Sequence, residues 1–260
     1  MKQENGASAL DTAWRKANVA AIDLAVQALG KIYGPVDDPD APELPWARFY
    51  VLETVARVPY FSYLSVLHLY ETLGLWRKTG YLRIHFAEAD NETHHLLIME
   101  ELGGGRRWAD RFLAQHAAVA YFWVVTLLYL TRPAMAYHLN EQVEGHAFET
   151  YDKFIGAHGE RLSKMRAPRT AVTYYEGQNP YLFDEFQTSG RPGSRRPSIS
   201  NLRDAIAAVR QDEAEHTKTM RAMQFTTVRS PHDNTPVYVD EDEGIPCSSA
   251  VDCAIKSWSE

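Results

Sequence analysis

Residues 91–96 read NETHHL and residues 211–217 read QDEAEHT, so Glu-x-x-His occurs twice, as Glu92/His95 and as Glu213/His216. Both copies lie where apolar residues recur at helical spacing, and at i, i+3 a carboxylate and an imidazole share one helix face about one turn apart. Such a face grips one ion with two ligands. With 19 Glu and 10 His in 260 residues, roughly one such motif arises by chance, and one copy alone would read as a solvated pair. Two further helical stretches each place a glutamate on an apolar stripe: Glu53 in VLETVARV and Glu144 in QVEGHAF. One Glu from each of two helices and Glu-x-x-His from each of two others is the donor set of a di-iron carboxylate bundle.

Charge explains why these residues belong together. Four ionised carboxylates are neutralised by two divalent cations, so the site can be buried without a large net desolvation cost. Without metal the crowded carboxylates repel one another and take up protons. Oxygen and nitrogen donors without thiolate suit iron or manganese rather than structural zinc.

Working outward, the pattern predicts an amphipathic helix over 7–29 (Leu10, Trp14, Ala17, Ala21, Leu24, Leu29), stopped by Gly30 and Gly34-Pro35. A Pro- and Asp-rich linker, 36–45, precedes a helix over 46–76 that Pro59 should kink. Further helices are expected over 81–102, ending at Gly103-Gly104-Gly105, over 107–130, and over 133–154 with Pro133 in the first turn. Residues 157–197 read as mostly irregular, around the aromatic patch YYEGQNPYLF, before a last helix capped near Ser198 or Ser200 runs to Met223. No strand pattern or repeat is evident. The expected fold is therefore all-α: a ferritin-like four-helix bundle with a di-iron centre, plus additional membrane-facing and N-terminal helices. The expected division is an N-terminal amphipathic helix (1–35), the bundle (36–228, with an insertion at about 168–197) and a polar C-terminal tail (229–260).

The 45% hydrophobic content supports one good-sized core, and a net charge of -7 with no basic face argues against nucleic acid as partner. Cys247 and Cys253, the two cysteines, lie in the polar tail and offer neither a disulfide framework nor a thiolate metal site; both are expected reduced. The opening MKQENGASALDTAW has no apolar export core and is not Arg- or Ser-rich. That suggests a bacterial protein or a mature form.

At the ligand residues, and well beyond them, the sequence resembles the alternative oxidases. RFYVLETVARVPYFSYLSVLHLYE (48–71), EADNETHHLLIMEELGG (88–104), VEGHAFETYDKFI (143–155), YLFDEFQT (181–188) and VRQDEAEHTKTMRAMQ (209–224) are similar to the plastid terminal oxidase branch over about residues 45–230. The resemblance implies iron ligands at Glu53, Glu92, His95, Glu144, Glu213 and His216, the six reached by spacing. It places Tyr151 where a tyrosine takes part in O–O cleavage, and Asn91 and Asp212 where neighbours orient the ligands. It puts Arg48, Leu52, Ala147 and Thr150 in a quinol pocket. His146 departs from the acidic residue of the mitochondrial pattern, where an LEEEA-like segment stands for VEGHA. The 176–197 insertion is of the plastid type, so plastoquinol is the expected donor. The implied reaction oxidises two quinols per O2, giving two waters without proton pumping. The implied protein is a homodimer with two iron ions per chain, of cyanobacterial or algal type. It would lie on the cytoplasmic or stromal face of a thylakoid or plasma membrane.

The apolar run Leu113–Leu130 meets the length of a spanning helix and could be read as transmembrane. Its neighbours on both sides carry ligands of one bundle, which a bilayer crossing would separate. The expectation is a monotopic protein whose 107–130 and 46–76 helices face lipid, with Trp76, Arg77, Lys78, Arg106, Arg107 and Arg132 at the rim. A buried core or dimer helix is the alternative. Rival functions are a soluble iron-storage or ferroxidase bundle, which would expose polar helix faces, and a di-iron hydroxylase of an apolar substrate.

Overall fold

A computed structural model describes residues 9–75, 79–177 and 196–226. Its helices are α1 (Ala9–Tyr33), α2 (Trp46–Ala56), α3 (Val58–Thr72), α4 (Thr79–Glu101), α5 (Trp108–Thr131), α6 (Pro133–Ser163), α7 (Arg169–Val172), which continues into a π-helical turn (Thr173–Gly177), and α8 (Leu202–Thr226). No strand occurs among the described residues. The all-α reading holds.

Two segments differ from the expected pattern for identifiable reasons. The 46–76 helix divides at Arg57, because Pro59 in the first turn of α3 has no N–H to continue the ladder from α2. In the other direction, α6 does not stop at Phe154 but runs through Gly156 and Gly159 to Ser163. Tertiary contacts override the weak helix propensity of those glycines. His158 is hydrogen-bonded to the Val36 carbonyl at 3.1 Å, and Arg161 donates to the carbonyls of Ala41 and Pro42 at 2.9 and 3.0 Å. The π-helical turn likewise falls within the stretch expected to be irregular. YLFDEFQT, the rim residues Trp76, Arg77 and Lys78, and the cysteines lie outside the described residues.

Helices α2 and α3 pack on α4, while α6 packs along α8, the most extensive helix pair. The two layers face each other, with α2 meeting α6 and α4 meeting α8. This is the four-helix bundle. Two apolar clusters fill it, one around Phe49, Tyr151, Phe154 and Val209, the other around Tyr60, Tyr63, Tyr129, Tyr137 and Met220. Outside the bundle, α1 lies against α6, where buried Asn18 donates to the Met135 carbonyl at 2.9 Å.

The Gly-Gly-Gly stop works through a backbone that only glycine adopts easily. Gly103 has φ 90°, and the Gly104 N–H closes α4 on the Met99 carbonyl at 2.9 Å. A Cβ on Gly104 would fall 2.5 Å from the Trp46 carbonyl oxygen and 2.7 Å from Tyr50 Cβ. Helix α2 would have to back away. Gly104→Ala is therefore expected to destabilise the protein by about 2 kcal/mol or more, read as a lowered thermal midpoint.

Helix α5 packs on α2, α3 and α6, and only Arg132 separates it from α6. By length and composition it could cross a membrane. Its outer face leaves Trp108, Phe112, Val119, Trp123, Val124 and Leu127 exposed, and Phe61, Leu69 and Leu73 of α3 are exposed as well. The buried-core alternative therefore does not describe this helix.

Candidate metal centre

On α4 the buried residues Glu88, Asn91, Glu92 and His95 recur at i, i+3, i+4 and i+7, a stripe that on an ordinary bundle helix would be apolar. Helix α8 repeats the design with Asp212, Glu213 and His216, while Glu53 on α2 and Glu144 on α6 complete the set. The structure brings all six residues singled out by spacing together, each fully buried. They form two overlapping groups whose ligand atoms lie within 4.8 Å of one another: Glu53, Glu92, His95 and Glu213, and Glu92, Glu144, Glu213 and His216. Glu92 and Glu213 belong to both.

Distances define the cradle. His95 Nδ1 stands 3.1 Å from Glu213, 3.6 Å from Glu92 and 3.8 Å from Glu53, and His216 Nδ1 stands 2.9 Å from Glu92 and 4.0 Å from Glu213. Yet Glu53 Oε2, Glu144 Oε2, both oxygens of Glu92 and Glu213, and His95 Nδ1 make no hydrogen bond. Buried polar atoms without partners are costly, and so many converging from four helices form a donor set that metal ions would satisfy together. The carboxylates also need a counter-charge. Burial pushes all four well above their ordinary range, and mutual repulsion adds to it, Glu92 acting on Glu53, Glu144 and Glu213. The donor set fits a pair of iron-type cations.

The neighbours fix how the donors point. Asp212 Oδ2 accepts from Asn91 at 2.9 Å and from the Tyr175 hydroxyl at 2.7 Å, and lies 3.1 Å from His95 Nε2. With Nε2 engaged there, His95 turns Nδ1 toward the carboxylates. Asn91 also donates to Tyr174 at 2.8 Å. Tyr151 donates to Glu53, and Tyr60 donates to Glu144 at 2.8 Å. Sequence reasoning had singled out Asn91, Asp212 and Tyr151 but passed over Tyr60, Tyr174 and Tyr175. The signal for Tyr60 was present: it follows Glu53 by seven residues, as Tyr151 follows Glu144.

Beside the centre, a cavity of about 450 Å³ opens between α1, α2, α5 and α6. Its walls are aliphatic, with Val51, Leu52 and Val143 adjoining the metal-centre helices and His146 one of its few polar residues. Of the four residues expected at a quinol pocket, Leu52 lines this cavity. The other three, all buried, do not line it: Arg48 donates to the Gly34 carbonyl at 2.5 Å, Thr150 contacts His146 at 3.2 Å, and Ala147 packs in α6. Arg48 therefore anchors the end of α1 onto α2.

A profile of the family described as Alternative oxidase matches residues 36–224. The chain is 51% identical over 251 residues to "Ubiquinol oxidase 4, chloroplastic/chromoplastic" of Arabidopsis thaliana, covering 92% of this chain and 68% of that protein. It is 28% identical over 170 residues to "Ubiquinol oxidase, mitochondrial" of Mangifera indica (65% of this chain, 47% of that protein) and 27% identical over 170 residues to "Ubiquinol oxidase 2, mitochondrial" of Glycine max (65% and 45%). With the two Glu-x-x-His helices facing two single-glutamate helices, this identity shows that the chain belongs to the alternative oxidase family and is of the plastid terminal oxidase type.

Proposed function

We propose that this chain is a membrane-bound quinol:oxygen oxidoreductase that oxidises plastoquinol and reduces O2 to water at a pair of irons. The observation that carries the reading is the convergence of Glu53, Glu92, His95, Glu144, Glu213 and His216 on one buried point beside an apolar cavity. Glu53, Glu92, His95 and Glu213 would hold one iron, and Glu92, Glu144, Glu213 and His216 the other. Iron, when bound, would supply reversible one-electron chemistry.

The protein's own groups set everything around that chemistry. Asp212 holds the His95 ring, and Asn91 and Tyr175 hold Asp212. Tyr151 keeps its phenol on Glu53 and can give up a proton and an electron there. Leu52, Val55, Val143 and Tyr121 form the wall against which a quinol ring would lie, while the aliphatic surfaces of α1 and α5 take its tail. Arg48, Ala147 and Thr150 do not line this wall, and His146 offers the ring a polar contact. The stoichiometry is two quinols, four electrons and one O2, giving two quinones and two waters.

The exposed stripe on α5 with its companions on α3 supports monotopic attachment, in which these faces enter one leaflet and Arg106, Arg107 and Arg132 sit near headgroups. The same stripe disfavours a soluble iron-storage bundle. An apolar cavity would also suit a hydroxylase, so the assay must separate the two. Purified protein is expected to carry two irons per chain, to pellet with membranes, and to consume one O2 for every two plastoquinols without hydroxylating them. Iron-free protein with no quinol-dependent O2 uptake would sink the reading.

A further inference from the structure

The two glutamates without a histidine partner on their own helix are each followed seven residues on by a tyrosine, and the phenols cross over: Tyr151 of α6 donates to Glu53, and Tyr60 of α3 donates to Glu144. The contacts match, but the surroundings do not. Tyr151 stacks on Phe49 at 4.7 Å between ring centroids, and Phe49 lies 4.9 Å from Phe154. A phenyl ring cannot be oxidised by a phenoxyl, so no oxidisable ring stacks directly on Tyr151; Trp46 lies beyond, 6.3 Å from Phe49 and 5.5 Å from Phe154. Tyr60 instead leads into more phenols. Tyr63 lies 6.2 Å from it, and Tyr129 and Tyr137 lie 4.7 and 4.9 Å from Tyr63.

That branch ends on a base. The Tyr137 hydroxyl is 2.7 Å from the Tyr129 hydroxyl and 2.9 Å from His85 Nε2, while His85 Nδ1 is 2.9 Å from Glu88 Oε2. All four residues are fully buried, and Glu88 Oε1 makes no hydrogen bond. A network kept for stability alone would satisfy every atom. Phenols give up an electron readily when a hydrogen-bonded base takes the proton. His85 is uncharged in its buried setting, so Nε2 can accept from the Tyr137 hydroxyl while Nδ1 faces Glu88 Oε2.

We propose that Tyr60, Tyr63 and Tyr137 form an electron-donating branch, ending on the His85–Glu88 pair, that supplies one electron to the oxidised metal centre when no quinol is at hand. This rests on the reading above, because the oxidant is the O2-oxidised iron pair. Tyr137 loses one electron, which travels over the rings of Tyr63 and Tyr60 to that oxidant. Its phenolic proton passes to the His85–Glu88 pair, leaving a neutral phenoxyl. The O–H bond of Tyr137 is the one that breaks. A later quinol returns the electron, and the pair returns the proton.

The test mixes reduced, iron-loaded protein with O2 without quinol and freeze-quenches it for electron paramagnetic resonance, comparing the unsubstituted chain with Tyr63→Phe and Tyr137→Phe. A tyrosyl radical is expected in the unsubstituted chain, altered by ring-deuterated tyrosine, and either substitution should lower its yield about two-fold or more at unchanged iron content. No tyrosyl signal in the unsubstituted chain, or an equal yield in all three, overturns the proposal. Peptide mass spectrometry of unsubstituted protein cycled with O2 but no quinol needs no variant to fold. Oxidation products should gather on Tyr129 and Tyr137, and their absence there counts equally against the branch. Failure of the unsubstituted protein to bind iron or oxidise quinol defeats the functional reading instead, whereas normal turnover with Tyr129 and Tyr137 unmodified defeats this inference alone.

Discussion

Glu213→Ala is expected to yield a helical protein that fails to load its irons, with quinol-dependent O2 uptake reduced by roughly a thousand-fold or more. Glu213 is one of two residues belonging to both donor groups, so its loss removes an oxygen from each ion at once. Its helix does not depend on it. Leu202, Ile206, Val209, Met220 and Met223 bury α8 in the core, and α8 packs along the whole bundle face of α6. Circular dichroism should therefore change little while metal analysis changes completely. With the metal stripped, the sign reverses for a neutral substitute. Burial raises the folded-state values, to about 7 for Glu92 and Glu144 and about 8 for Glu53, above the ordinary unfolded range. Groups raised in this way contribute stability at low pH that is lost as pH climbs through the folded values. Chelator-treated protein should accordingly lose thermal stability between about pH 4.5 and pH 8, and Glu213→Gln, which removes one of the repelling charges, should lose less. Full iron content and activity in Glu213→Ala would remove Glu213 from the centre.

The ligand set was legible because helical periodicity is local. Glu92/His95 and Glu213/His216 each share a face by spacing alone, and a glutamate on an apolar stripe, as at Glu53 and Glu144, stands out against its neighbours. What surrounds them was not legible, because it joins residues far apart in the chain. Asp212 is adjacent to Glu213 in sequence, but its partner Tyr175 comes from a π-helical turn in a stretch rich in Gly and Pro that reads as loop. The crossed pairing of Tyr60 with Glu144 and Tyr151 with Glu53 depends on how α2 and α3 lie against α6, which no local pattern records. Helix ends failed for the same reason. Gly156 and Gly159 signal a stop, and only contacts to Val36, Ala41 and Pro42 keep α6 running. Composition could mark the α5 run as apolar, but not say which of its faces is packed. Trp123 and Leu127 point away from the bundle while Val125 and Leu128 are buried in it, a distinction that exists only once α2, α3 and α6 are in place.

Tyr151→Phe should separate chemistry from architecture. The ring is buried and stacked on Phe49 at 4.7 Å, and phenylalanine keeps that packing. The change removes one hydroxyl, whose bond to Glu53 is worth about 1 kcal/mol of stability in ordinary cases, so the protein should stay folded. All six donors remain, so iron should stay bound near two per chain. Tyr151 does not line the apolar cavity, so the KM for plastoquinol should hold. What is lost is the one phenol held on Glu53, which carries both a transferable proton and an oxidisable ring. A kcat lower by roughly a hundred-fold or more at unchanged KM is the expected outcome, the pattern of an interaction made only during the chemical step. Normal turnover would take Tyr151 out of the reaction. Loss of iron in place of loss of kcat would make it a group that merely holds Glu53 in position.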